Sequence, residues 1–188
     1  MIPRDIAPNE PCIRCVTPSK LRRGVIIDDV FLPFDHKTGA SVLRLEYTSL
    51  DFCIDYGRKL DKTRRLGGLL KFNQQMVDSV NQWAQTDESK VTNQTTNVES
   101  INGMSAQLVY SPMDGKDKYV DASKKWYTDS CITTPMHADL VFAEPLEKGF
   151  VKTRMRKFNH ELVKLAQKAF MMEKGLSEWT MENKVPSN

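Results

Sequence analysis

Two side chains suited to acid–base chemistry, His137 and Asp139, stand two residues apart in Pro135-Met136-His137-Ala138-Asp139-Leu140-Val141-Phe142. In a strand, residues two apart share a face. The imidazole could then act as a base, with the carboxylate orienting it. In a helix the two would diverge. The competing reading of such a histidine is structural: a buried ring satisfied by backbone hydrogen bonds. The chain has three histidines, His36, His137 and His160, so any histidine-based chemistry draws on these.

Other groups are weaker candidates. The four cysteines are Cys12, Cys15, Cys53 and Cys131. Cys12 and Cys15 form a CxxC, which is half a zinc site or a redox pair. No second CxxC and no HxxxH accompanies it, so the expectation is reduced thiols and no metal. Glu46, Asp51 and Asp55 lie around an expected strand-to-helix junction, and Asp114 and Asp117 beside Lys116 and Lys118 in a turn. A metal-dependent nuclease would need such carboxylates to converge on Mg²⁺. Acids at helix starts and turns also have local reasons of their own. The sequence has no P-loop, dinucleotide-binding glycine fingerprint, GxSxG or HExxH. No cofactor is expected.

Basic residues cluster at Lys20/Arg22/Arg23, from Arg58 to Arg65, and from Lys152 to Lys157. Converging runs would track phosphates, whereas separate ones are solvated faces. The net charge of +3 decides neither way. With 40% hydrophobic and 27% charged residues, the composition is that of a globular protein. No apolar run approaches the roughly 18 residues of a membrane span. The start, Met1-Ile2-Pro3-Arg4-Asp5-Ile6-Ala7-Pro8, lacks the apolar core of a signal peptide, so the cytoplasm is the expected location.

The elements that would position these groups follow from hydrophobic period. Strands are expected over Cys12 to Val16, Val25 to Phe34 (interrupted by Asp28 and Asp29), Ala40 to Tyr47 and Met104 to Tyr110, and a strand or a short buried helix over His137 to Phe142. In Ala40 to Tyr47 the alternation sets Val42, Leu43, Leu45 and Tyr47 against Ser41, Arg44 and Glu46. A helix from about Ser49 to Leu60 puts Phe52, Tyr56 and Leu60 on one face, with Gly57 weakening its second half. Leu69, Phe72, Met76, Val80 and Trp83 predict a second helix, Leu69 to Trp83. Val151, Met155, Phe158, Leu162, Leu165, Ala169 and Met172 predict a long third one from Gly149 to Met172, with Gly175 as its stop. Residues 1–11 read as an extended arm, 86–100 as a polar Thr/Asn-rich mobile loop or edge hairpin, and 176–188 as a tail beyond a single domain spanning 1–175. The fold class is α+β: a mostly antiparallel sheet with two principal helices packed on it.

Scattered motifs resemble a set of small bacterial proteins encoded beside conflict or defence genes. They are Arg14-Cys15-Val16-Thr17-Pro18, Phe31-Leu32-Pro33, Ser41-Val42-Leu43-Arg44 and Pro135-Met136-His137-Ala138, followed by a helix with basic residues. The similarity is spread over residues 12–170. It implies an accessory or immunity-type protein of such a system and assigns no catalytic residues. The expected function is therefore non-enzymatic binding of a protein partner, through Lys152, Arg154, Arg156 and Lys157 on the last helix. The alternative is an enzyme acting on nucleic acid or a nucleotide, using His137, Asp139 and nearby carboxylates.

Overall fold

A computed structural model describes residues 1–33, 39–60, 65–86, 104–113, 134–143, 150–172 and 179–180, with side chains placed for 153–166 within the last two stretches. The first strand, β1 (Cys12–Val16), sets the architecture. Cys12 and Val16 enter one apolar cluster while Ile13 and Cys15 enter another. A strand buried on both sides belongs inside a sheet with both faces covered. A short hairpin of β2 (Leu21–Arg22) and β3 (Val25–Ile26) follows, then β4 (Gly39–Arg44), β5 (Gly68–Phe72), β6 (Ala106–Tyr110), β7 (His137–Phe142), β8 (Gln167–Met172) and β9 (Trp179–Thr180). Apart from the hairpin, these strands form a seven-stranded sheet in the order β6-β7-β4-β1-β5-β8-β9. Every registered pairing in it is antiparallel.

The helices α1 (Leu50–Lys59), α2 (Gln74–Thr86) and α3 (Phe150–Leu165) divide between the two faces. Cys53 and Tyr56 of α1 pack with Ile13, Cys15, Leu43, Leu66 and Leu69 on one side. Val77, Val80 and Ala84 of α2 and Met155, Phe158 and Leu162 of α3 pack on the other, against Leu70, Phe72, Ala138, Leu140 and Phe142. Edge-to-face contacts join Phe31 to Phe72 at 5.0 Å and Phe142 to Phe158 at 5.6 Å. Each such buried ring contributes about 1.5–3 kcal/mol through area alone. Ser49 caps α1, its hydroxyl accepting from the Phe52 amide at 3.1 Å. Gly57 has a packing reason: a β-carbon there would stand 2.6 Å from Leu66 and 3.2 Å from Cys15. Glycine thus lets α1 approach the sheet.

Two expected helices are corrected. Leu69 to Trp83 is not one element. Its first third is β5, between β1 and β8, and the helix starts after Asn73, whose side chain caps the Met76 amide at 3.0 Å. Gly149 to Met172 likewise ends at Leu165, and the chain re-enters the sheet as β8. Short apolar runs fit either period, and the sheet neighbours decide. The Val25 to Phe34 strand also breaks, with Asp28–Phe31 forming a 3-10 turn against α3. The alternation that put Arg44 on a solvent face fails, because that side chain is wholly buried. The Gly175 stop lies outside the described residues, as do Cys131, His36, Asp114 and Asp117.

The sheet edge at β6 is covered in part by side chains of α2. Asn81 of α2 donates to the Ala106 carbonyl and accepts from the Ala106 amide, both at 2.9 Å, and Gln74 accepts from the Leu108 amide at 2.7 Å.

Candidate functional site

β7 does place His137 and Asp139 on one face, since Ala138 and Leu140 between and beyond them belong to the opposite core. Gly39, facing them from β4, leaves the room Asp139 occupies: a β-carbon at 39 would come within 2.9 Å of the Asp139 β-carbon. A third residue joins them. Ser111, just past β6, is held in register by its amide bonding the His137 carbonyl at 3.2 Å.

The hydrogen bonds define what this cluster can do. His137 Nδ1 is 2.7 Å from the Ser111 carbonyl oxygen, which can only accept, so Nδ1 carries a hydrogen. The Ser111 hydroxyl donates to Asp139 Oδ2 at 2.7 Å, with His137 Nδ1 3.1 Å away. Asp139 Oδ1 stands 4.0 Å from His137 Nε2. A nucleophilic triad needs the serine proton directed at an accepting imidazole nitrogen and the carboxylate bonded to the other. Here the serine proton goes to the carboxylate, and the nearer ring nitrogen is a donor. His137 is 4% exposed. The geometry is that of a strand-end lock, tying Ser111 to β7.

The carboxylates Glu46, Asp51 and Asp55 are not gathered around it. Asp51 is in the first turn of α1 and Asp55 pairs with Arg58 at 3.7 Å. Among the described residues no group of three or more His, Cys, Asp or Glu could hold a metal ion. Cys12 and Cys15 point into opposite layers, so the CxxC is a strand pattern and not a ligand pair.

The last helix carries the other candidate residues. Arg156 forms a two-pronged pair with Asp29, Nη2 to Oδ2 at 3.0 Å and Nε to Oδ1, and this hydrogen bonding raises the guanidinium pKa. His160 reaches Asp28 Oδ1 at 3.0 Å, and Asn159 donates to the Asp28 carbonyl at 3.0 Å. Lys157 lies over the Trp83 ring at 5.6 Å. Arg154 is half-buried, and the Lys152 side chain lies outside the described residues. The Asp28–Phe31 turn and α2 thus set the positions of Arg156 and Lys157.

Sequence reasoning missed two arginines. β1 and β4 pair at Cys12–Arg44 and Ile13–Leu43 and then part. Arg14 spans the gap, donating to the Ser41 carbonyl at 2.6 Å and the Val30 carbonyl at 2.8 Å, while burial lowers its pKa. Arg44 binds Glu10 through Nε at 2.5 Å and Nη2 at 2.7 Å, and the carbonyls of Pro3 and Asp5. Tyr47 and Tyr110 place their rings 4.7 and 5.2 Å from its guanidinium carbon. The signal was present as a charge inside each apolar strand, but the partners are carbonyls and a carboxylate remote in sequence.

A cleft of about 340 Å³ lies where α2 meets β6 and the end of β7, lined in part by Gln74, Asp78, Asn81 and Gln107. Gln74 and Asn81 are already engaged with the β6 backbone, and Gln74 also donates to Asp78 at 2.7 Å. Comparison with protein-family models, with curated proteins and with solved structures finds no match.

Proposed function

We propose that this chain is a non-enzymatic binding protein whose partner is another protein, in the accessory or immunity-type role that its motif resemblance implies for a bacterial defence or conflict system. The observation that supports this over catalysis is the state of His137. Its ring is buried, its Nδ1 hydrogen bonds a backbone carbonyl, and the neighbouring hydroxyl is directed at Asp139. With Nδ1 a donor and the hydroxyl proton directed to the carboxylate, the three groups do not have the arrangement of an activated nucleophile.

The partner surface in this reading is the basic side of α3. Arg156 and Lys157 are held by Asp29 and Trp83, which lowers the ordering cost of using them in an interface. Complementary charge there governs association rate and specificity more than affinity. The test isolates the complex from the native host and measures association with the purified partner. Replacing Arg154 and Arg156 by Gln is expected to slow association and flatten its salt dependence while lowering melting by only a few degrees (about 2–4 °C per kcal/mol lost). An unaltered rate and salt dependence would place recognition elsewhere. A nucleotide- or nucleic-acid-cleaving activity of the pure protein that disappears in His137→Gln would replace this reading with the enzymatic one.

A further inference from the structure

The β2–β3 hairpin has a surface that the packing of the chain does not explain. Leu21 and Ile26 pair across it and turn inward, Ile26 into the main core and Leu21 against it. Arg22 and Val25 pair one step further out and face the other way. Arg23 and Gly24 make the turn, with φ of 53° and 81°. Arg22, Arg23, Gly24 and Val25 are all exposed, Val25 at 65%. A side chain built at Gly24 would meet no atom within 4 Å, so the tip projects into open space.

Three features point the same way. First, a two-residue turn with both φ values positive favours Asn or Gly at its first position. Arg23 holds that left-handed conformation, which L side chains with a β-carbon adopt at a cost. A costly residue at a tip that projects away from the chain indicates a role outside it. Second, among the described residues no carboxylate lies within ion-pair distance of Arg22 or Arg23, whereas Arg44, Arg58 and Arg156 all have one. Third, Val25, the apolar side chain of the outward face, sits directly across from Arg22.

We infer that this hairpin is a contact for the phosphodiester backbone of a duplex nucleic acid, a function separate from partner binding by α3. The guanidinium fork matches phosphate oxygens two at a time. A two-stranded ribbon, with strands about 4.8 Å apart, enters a major groove about 12 Å wide. Arg22 and Arg23 then flank it on phosphates while Val25 meets sugar or a thymine methyl. The base of the ribbon is fixed, since Ile27 donates to the Lys20 carbonyl at 3.0 Å and Lys20 to the Thr17 carbonyl at 2.9 Å through their amides. The tip is therefore presented in one orientation, and little chain entropy is lost on binding.

The experiment is fluorescence anisotropy of the full chain with a labelled DNA duplex of about 20 base pairs and arbitrary sequence, titrated from about 50 to about 200 mM salt. An RNA duplex of the same sequence tells the two sources of the backbone apart. Wild type is expected to bind with a log–log salt slope of about −0.9 for each phosphate that it neutralises. Arg22→Gln/Arg23→Gln should weaken binding tenfold or more at low salt and flatten that slope by about 2. Arg23→Asn is the sharper variant, because asparagine suits the turn. It should melt at the same or a higher temperature and still bind more weakly, which a purely structural arginine would not do. The inference is overturned if wild type binds neither duplex at low salt, if the double variant keeps the wild-type affinity and slope, or if only vesicles containing phosphatidylserine are bound.

Discussion

Two polar clusters lie among the strands of this sheet, and they differ in what surrounds them. Arg44 and Glu10 have 0% and 2% exposed side chains, and three of the guanidinium nitrogens donate to carboxylate or carbonyl oxygens. The hydrogen bond to Glu10 raises the Arg44 pKa against the desolvation that would lower it. Ser111, His137 and Asp139 are tied by bonds of similar length, yet the Asp139 side chain is 27% exposed. Water can replace a lost partner in the second cluster and not in the first. Bond length alone does not rank them; access to solvent does.

The largest expected effect tests the sealed cluster. Arg44→Met leaves Glu10 charged, buried and without its partner, which should lower unfolding free energy by about 3–5 kcal/mol in urea titrations. Adding Glu10→Leu should recover part of the loss. A single-variant effect below about 1 kcal/mol would mean that water reaches Glu10 and that the two clusters are alike.

The cysteines report on the same region. Burial pushes the thiols of Cys12, Cys15 and Cys53 from 9.0 up to about 12, with Glu10 adding to the shift at Cys12. A group whose folded pKa is raised contributes stability that is complete below its unfolded value and lost as pH rises through the folded one. Unfolding free energy should therefore fall from about pH 9 towards pH 12, and native thiols should resist alkylation at pH 8. Rapid labelling of Cys12 in the intact protein would show the arm opening. Arg44→Met is expected to speed labelling there.

Ser111→Ala tests the open cluster. Removing the donor to Asp139 should reduce stability by about 1–2 kcal/mol, because solvent takes its place. A loss above about 3 kcal/mol would show that this cluster is as closed as the other. The smallest effect is expected from Arg156→Gln. Its pair with Asp29 is direct, but the arginine side chain is 44% exposed. Solvent screening leaves such a pair worth up to about 1 kcal/mol, and raising the salt should shrink the difference further.

The sequence left His137 to Phe142 open between a strand and a short buried helix, and the shared face of His137 and Asp139 followed only once the strand was in place. It carried the start of α1 to within a residue and Cys12–Val16 as a short strand, though not that strand's central place in the sheet. It did not carry Ser111, which meets the histidine from 26 positions away, or Glu10, which meets Arg44 across 34. Leu69 to Phe72 and Ala169 to Met172 continue a helical spacing by chance, and the pairing of β5 with β1 and β8, and of β8 with β9, shows them to be strands. The basic residues of α3 were legible as a face. That Asp29 holds one of them depends on the Asp28–Phe31 turn, where the apolar pattern favoured a strand.

The arrangement of α2 along β6 has a consequence for how copies of this chain behave together. An edge strand with free amides and carbonyls is a template on which another chain can crystallise its own backbone, the first step to fibrils. Asn81 occupies both groups of Ala106, and Gln74 occupies the amide of Leu108. The helix thereby covers three backbone groups of this edge with two amide side chains. Replacing Gln74 and Asn81 by Ala is therefore expected to raise light scattering by concentrated protein.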